Sequence, residues 1–282
     1  MSVLSAPVEQ ITVASFANYL QPRPRDMHKG NAGHVLVVGG EPGHSGAVLM
    51  AAMAALRVGA GLVSIATHPT HAAVLNVSCP EVMCYGVRYS WQVRDLLAKA
   101  TVVVVGPGLG QSIWARRLWR MVLKRDCPLI VDADGLNLLA RYPSQCNHWI
   151  LTPHPGEAAR LLKKTTAEVQ ADRLATVKGL QQQYRGVTVL KGAGTLVLAP
   201  NQLPVLCAAG NPGMATAGMG DVLSGVIASL VAQGIPLAEA AKLGVSLHAE
   251  AGDLVAKDRG ERGMIATDLL PYLQLLVNGK NP

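Results

Sequence analysis

The segment from Gly210 to Gly225, GNPGMATAGMGDVLSG, concentrates the residue types most able to do chemistry in this chain. Glycines and other small residues lead to a single acid, Asp221, and an apolar stretch of helical period follows (Val222, Leu223, Val226, Ile227, Leu230). A loop of that kind gathers unpaired backbone N–H groups at the positive end of a helix dipole, where an anion is stabilised. Glycine suits such a loop because a side chain would block the ligand's approach. A carboxylate at the same point repels an anion, so Asp221 either takes a proton from a hydroxyl held beside a phosphate or caps the helix.

Those groups need a scaffold. Short apolar runs alternate with helical stretches. Strands are expected at His34–Val38, Leu62–Ala66, Val82–Tyr85, Val102–Val105, Leu129–Val131, Trp149–Leu151 and Thr188–Leu190. Leu196–Leu198 and Val205–Cys207 flank a Pro/Asn turn and predict a hairpin. Helices are expected at Ala47–Val58, Trp91–Lys99, Ile113–Lys124, Gly135–Ala140, Glu157–Lys163, Ala167–Tyr184, Asp221–Ala232, Pro236–Val255 and Asp268–Val277. Continuously apolar strands fit a mostly parallel sheet covered on both faces, an α/β fold with helices on either side. No linker or repeat divides the chain, so residues 1–282 are expected to form a single domain, with the Pro/Arg-rich residues 1–31 as a lead-in.

Ligands of such sheets bind at the carboxyl ends of the strands. Polar and glycine-rich turns fall there repeatedly: GGEPGHSGA (39–47), GPGLGQ (106–111), DADGLN (132–137), TPHPGE (152–157) and KGAGT (191–195). The first lacks GxGxxG spacing, no acid follows the next strand to hold a ribose, and no GxxxxGK[ST] occurs, which excludes the Rossmann and P-loop solutions. His154 and Glu157, three apart where a strand becomes a helix, can both face the cleft, and the carboxylate suits a water on Mg²⁺. Each also has a purely structural reading, His154 in the turn and Glu157 as a charge at a helix start. Asp132 and Asp134 either support the ion or cap the next helix. Lys191 opens a glycine turn and either reaches a nucleotide phosphate or lies in solvent. His68, His71, His148 and His248 show no partner pattern and are expected to be structural.

Composition narrows the classes. Half the residues are hydrophobic and 15% charged, which suits a large core, while 4% aromatics make that core aliphatic. The net charge of +7 favours anionic partners, but basic residues clustered with stacking aromatics are missing, which argues against nucleic acid. The densest basic run, Arg116–Arg125, fits the wet face of a helix. Five cysteines without a CxxC, and no export signal, point to free thiols in the cytoplasm; Cys84 and Cys127 are expected in the core. No apolar run is long enough to span a membrane.

Taken in order over nearly the whole chain, GPGLG, DADGLN, TPHPGE, KGAGT and GNPGMATAGMGDVLSG resemble the ADP-dependent (S)-NAD(P)H-hydrate dehydratases of the ribokinase-like superfamily. Ala217 stands where that family more often has Gly. The resemblance implies a three-layer α/β/α sandwich and a lyase that repairs hydrated NADH and NADPH (NADHX and NADPHX), consuming ADP and releasing AMP and phosphate. It assigns Ala47, Gly110, His154 and Asp221 to the hydrated dinucleotide, and Lys191, Gly192, Ala193, Gly194, Thr195 and Gly220 to the nucleotide. Asp221 would be the general base, Ala217, Gly218, Met219 and Gly220 the anion hole, and Glu157 a ligand of Mg²⁺ through water. It further implies a homo-oligomer, commonly a tetramer. The family is often fused to an epimerase domain for which this chain has no room, so dehydratase activity alone is expected. The same Asp221 site would also serve an ATP-dependent kinase of small-molecule hydroxyls, or a non-catalytic nucleotide sensor.

Overall fold

The four valines of Val102–Val105 are fully buried, alternately contributing to two separate cores. Burying each such side chain stabilises the fold by about 1.5–3 kcal/mol. The same alternation recurs in the neighbouring strands, so one sheet divides the molecule into two helical layers. A computed structural model describes residues 8–280. In chain order the elements are β1 (Glu9–Gln10), β2 (His34–Val38), α1 (Ser45–Val58), β3 (Leu62–Thr67), α2 (Ala72–Ser78), β4 (Met83–Gly86), α3 (Arg94–Lys99), β5 (Val102–Val105), α4 (Ile113–Val122), β6 (Leu129–Val131) and α5 (Ala133–Arg141). The second half contains β7 (Trp149–Leu151), α6 (Pro155–Leu162), α7 (Thr166–Ala171), α8 (Arg173–Tyr184), β8 (Val187–Leu190), β9 (Thr195–Leu198), β10 (Val205–Cys207), α9 (Met219–Ala232), α10 (Leu237–Arg259) and α11 (Leu269–Leu276).

The 10-stranded sheet has the order β1-β10-β9-β8-β7-β6-β5-β2-β3-β4. All pairs from β8 to β4 are parallel, and β9 runs antiparallel to both β8 and β10. One core packs Val35, Val37, Val104 and Ile130 against α1, α9, α10 and α11. The other packs Leu36, Val38, Val105 and Val131 against α3–α6 and α8. This is the expected three-layer α/β/α sandwich. Contact between α1 and α9 is close because Gly225 lies on the Ala51 carbonyl, leaving no room for a β-carbon.

Three expectations change. The helix foreseen over Ala167–Tyr184 is two, broken at Asp172 (φ −140°, ψ 84°), whose carboxylate accepts from the Ala175 N–H at 2.8 Å and so starts α8 afresh. Helix α2 was not foreseen; its seven residues bury only Leu75, too few for an apolar period. Cys84 is only half-buried, whereas Cys127 is buried as expected, and all five cysteines are free. From Val8 onward the lead-in is tied to the body: β1 pairs with β10, and Ile11 and Phe16 enter the core. On α4 the buried face is Ala115, Leu118, Trp119 and Val122, which leaves Arg117 and Arg120 exposed as expected.

Candidate active site

Strands β8, β7, β6, β5 and β2 are consecutive neighbours, so the five polar turns after them form one continuous edge. From β2 the chain moves outward to β3 and β4 and then returns to β5 on the other side. The crevice between the β2 and β5 turns is therefore a topological switch point. There the Gly40 and Glu41 N–H groups donate to the Pro107 and Gly108 carbonyls at 3.1 and 2.7 Å. Ala47, in the first turn of α1, lies under Gly108, and the Glu41 carboxylate covers Gly110. Gly110 has φ +71° and donates its N–H to Asp134 Oδ2 at 2.9 Å. Asp134 thus anchors the Gly110 turn instead of capping α5.

At the centre, Lys191 Nζ lies 2.7 Å from Asp132 Oδ1 and 3.9 Å from Glu157 Oε2. Ser224 Oγ donates to Asp132 Oδ2 at 2.9 Å. Burial would raise Asp132, but the Lys191 ammonium outweighs it and holds the carboxyl below its usual range. Lys191, for which burial alone favours the neutral form, is held charged by Asp132 and Glu157. The solvated reading of Lys191 is overturned, since its side chain is only 18% exposed.

Glu157 accepts the His154 N–H at 2.8 Å, and His154 Nδ1 accepts from the Gly156 N–H at 3.0 Å, together forming a capping box at the start of α6. Both residues therefore have the structural job foreseen for them. His154 still presents Nε2, 3.5 Å from Glu157 Oε1, as the proton-bearing nitrogen of its neutral ring. Burial pushes Glu157 up to about 7, with Lys191 opposing and Asp132 reinforcing the shift.

Gly218 (φ +91°) starts α9, which places Asp221 third in the helix, beyond the capping position. Its carboxylate has no hydrogen-bond partner among the described residues, so the capping reading fails. Burial pushes it up to about 7, and the Asp132 carboxylate adds to the rise while Lys191 offsets part of it. The N–H groups of Ala217, Gly218, Met219 and Gly220 donate to no backbone acceptor among the described residues, which leaves an anion cradle beside Asp221. A β-carbon on Gly220 would lie 3.1 Å from Lys191 Nζ and 3.3 Å from Asp132 Oδ2, so the cradle and the ion pair adjoin.

Next to this cradle a cavity of about 540 Å³ is lined by Lys191–Thr195, the 208–215 loop, Met219, Gly220, Leu223 and residues of α10. Its 208–215 wall is tied to α10 by Asp253, which accepts the Gly210 N–H and the Asn211 side-chain amide, each at 2.9 Å. His248, expected to be merely structural, is part of this wall and is kept neutral by burial, which takes it down to about 4. The cavity suits a nucleotide-sized ligand whose phosphates reach the cradle.

Sequence reasoning missed Ser224, Glu41, Asp253 and His248. Ser224 had a signal, since it is three residues beyond Asp221 on the same helix face. Glu41 lies in the 39–47 turn but was not singled out there, while Asp253 and His248 are brought in by tertiary packing and carry no local signature.

A family model described as NAD(P)H-hydrate dehydratase matches residues 35–275. The chain is 56% identical to a bifunctional NAD(P)H-hydrate repair enzyme of Coxiella burnetii over 92% of its own length and 53% of that protein's, so it spans about half of that relative. It is 39% identical to an ADP-dependent (S)-NAD(P)H-hydrate dehydratase of Neisseria meningitidis, covering 95% of this chain and 92% of that one. The solved ADP/ATP-dependent NAD(P)H-hydrate dehydratase of Bacillus subtilis, co-crystallised with ATP/Mg²⁺, superposes with a TM-score of 0.84 at 27% identity, covering 97% of this chain and 98% of that one. The edge turns, the Asp221 cradle and these likenesses agree: the chain belongs to the NAD(P)H-hydrate dehydratase family.

Proposed function

We propose that this chain dehydrates (S)-NADHX and (S)-NADPHX to NADH and NADPH at the expense of ADP, releasing AMP and phosphate. The observation that carries the reading is the half-buried, desolvated Asp221 carboxyl, without a hydrogen-bond partner among the described residues, beside a cradle of N–H groups that donate to no backbone acceptor. Hydroxide is a poor leaving group, and phosphate is a good one. Asp221 takes the proton of the substrate's C6 hydroxyl while that oxygen attacks the terminal phosphorus of ADP, and the bond from that phosphorus to AMP breaks. The N–H groups of residues 217–220 stabilise charge on the transferring group. The C6–O bond then breaks with the ring nitrogen's electron pair, phosphate leaves, and a proton lost from C5 restores the dihydronicotinamide.

In this reading the 540 Å³ cavity takes the nucleotide, held by Lys191, Gly192, Ala193, Gly194, Thr195 and Gly220. The hydrated dinucleotide lies across the switch point against Ala47, Gly110, His154 and Asp221. Among the described residues no cluster of three ligating side chains could cage a metal, and Asp132 is already engaged by Lys191 and Ser224. That donor set fits Mg²⁺ held by ligand phosphates and waters, with Glu157 as the carboxylate behind one water. When bound, the ion would neutralise charge on the phosphates.

Residues 1–282 act as a single domain in this proposal, in the cytoplasm. No helix among the described residues is long and apolar enough to cross a membrane. Self-association, for which a tetramer is proposed, is supported by Val74, Val77, Tyr85 and Trp91, exposed around the open edge of β4. The test is incubation with hydrated NADH and ADP while following reduced-nicotinamide absorbance. Recovery with equal amounts of AMP and phosphate is expected; no recovery, or a stable phosphorylated product, overturns the proposal.

A further inference from the structure

Arg173 opens α8, where a cation opposes the helix dipole and costs about 0.3–1 kcal/mol. Its position calls for a compensating interaction elsewhere. No carboxylate pairs with it among the described residues; burial lowers its pKa. Instead, Nη2 donates to the Leu190 and Gly194 carbonyls at 3.1 Å, and both terminal nitrogens donate to the Lys191 carbonyl at 3.4 Å. Gly192 lies directly over the guanidinium, where a β-carbon would come within 3.0 Å of Nη1. The turn between β8 and β9 is thus pinned by its carbonyls. Gly192 and Gly194 sit at φ +137° and +70°. The N–H groups of residues 192–194 donate to no backbone acceptor among the described residues. Carbonyls gathered on one side of a tight turn leave N–H groups for the other, which makes an anion-binding nest. The break at Asp172 is what sets Arg173 at this point.

We propose that Arg173 is a positioning residue for the nucleotide. By gathering the carbonyls of the 190–194 turn, it presents the turn's N–H groups and the Lys191 ammonium to the phosphates of a nucleoside diphosphate. This rests on the nucleotide reading of the cavity given above. The guanidinium fork serves several carbonyls at once, which a lysine ammonium cannot reproduce in the same geometry.

The experiment measures ADP binding by calorimetry for the wild type, Arg173→Lys and Arg173→Met, alongside kcat, both KM values and Tm. Arg173→Met is expected to raise the Kd and KM for ADP by about tenfold or more, the loss that follows removal of a charge-assisted hydrogen bond. KM for the hydrated dinucleotide and kcat at saturating ADP should stay within about twofold on the same scale. Arg173→Lys should fall between wild type and Arg173→Met. Equal ADP affinity in all three proteins overturns the role of Arg173 and leaves the nucleotide site standing. A fall in kcat and Tm together with a rise in both KM values in Arg173→Lys also overturns it, since that pattern marks a purely structural residue. A wild type that binds no ADP overturns the nucleotide reading itself.

Discussion

Lys191 Nζ sits 2.7 Å from Asp132 Oδ1, and the ionised Asp132 it maintains raises the neighbouring Asp221. The pair therefore links the stability of the sheet edge to the basicity of the proposed base. Removing one partner strands a buried charge. Lys191→Met is expected to cost about 3–5 kcal/mol of stability, which denaturant titration measures. A cost below about 1 kcal/mol, the level of a surface pair, would mean that Asp132 is not held ionised by Lys191.

Asp221 makes a second prediction, on stability against pH. Its carboxyl moves from an ordinary value near 4 to about 7 in the fold. Between those values the native state binds the proton and the unfolded chain does not, so stability falls as pH rises through that window and stays reduced above it. Asp221→Asn is expected to melt higher than wild type at pH 8, with the gap closing toward pH 4. A lower melting temperature at pH 8 would contradict the desolvation that raises this acid.

The same group predicts an acidic limb in the rate profile. A general base works only when ionised, so kcat/KM should fall as pH drops below about 7, reporting the free protein. Glu157 also lies at about 7, so the wild-type limb is expected to be steeper than one proton. In Glu157→Gln the limb should become single-proton and persist. Loss of the limb in that variant would assign the titration to Glu157.

Gly220 is the position where an added methyl group would meet both members of the central ion pair. Gly220→Ala would place a carbon 3.1 Å from Lys191 Nζ and 3.3 Å from Asp132 Oδ2, so the ion pair would have to give by a few tenths of an ångström. Activity is expected to fall by roughly tenfold or less, short of the loss of about a hundredfold that a full ångström of misplacement can cause, with little change in Tm. Unaltered kinetics would show that the Lys191 position is not critical.

Much of this arrangement was legible beforehand because it is written in local patterns. The apolar runs around Val102–Val105 and Leu129–Val131 gave a parallel sheet, and the turns after them located the edge. The expected nucleotide turn at 191–195 and the 217–220 cradle fall in one region of the structure. What stayed hidden depends on tertiary contact. Asp134 looks like a helix cap until the 106–111 turn is folded against it. His248 has no local partner pattern, and only the packing of α10 brings it to the cavity. The interruption at Asp172 is masked because the surrounding residues suit a helix, and its consequence for Arg173 depends on where β8 ends.

The central claim is that Asp221 removes the proton from a substrate hydroxyl. The most direct test is single-turnover recovery of NADH absorbance by Asp221→Asn with hydrated NADH and ADP, with ADP binding measured on the same sample. The account predicts that ADP still binds while the rate falls by at least about 10²–10⁴-fold, the usual worth of a positioned base. Near-normal turnover by that variant would contradict it.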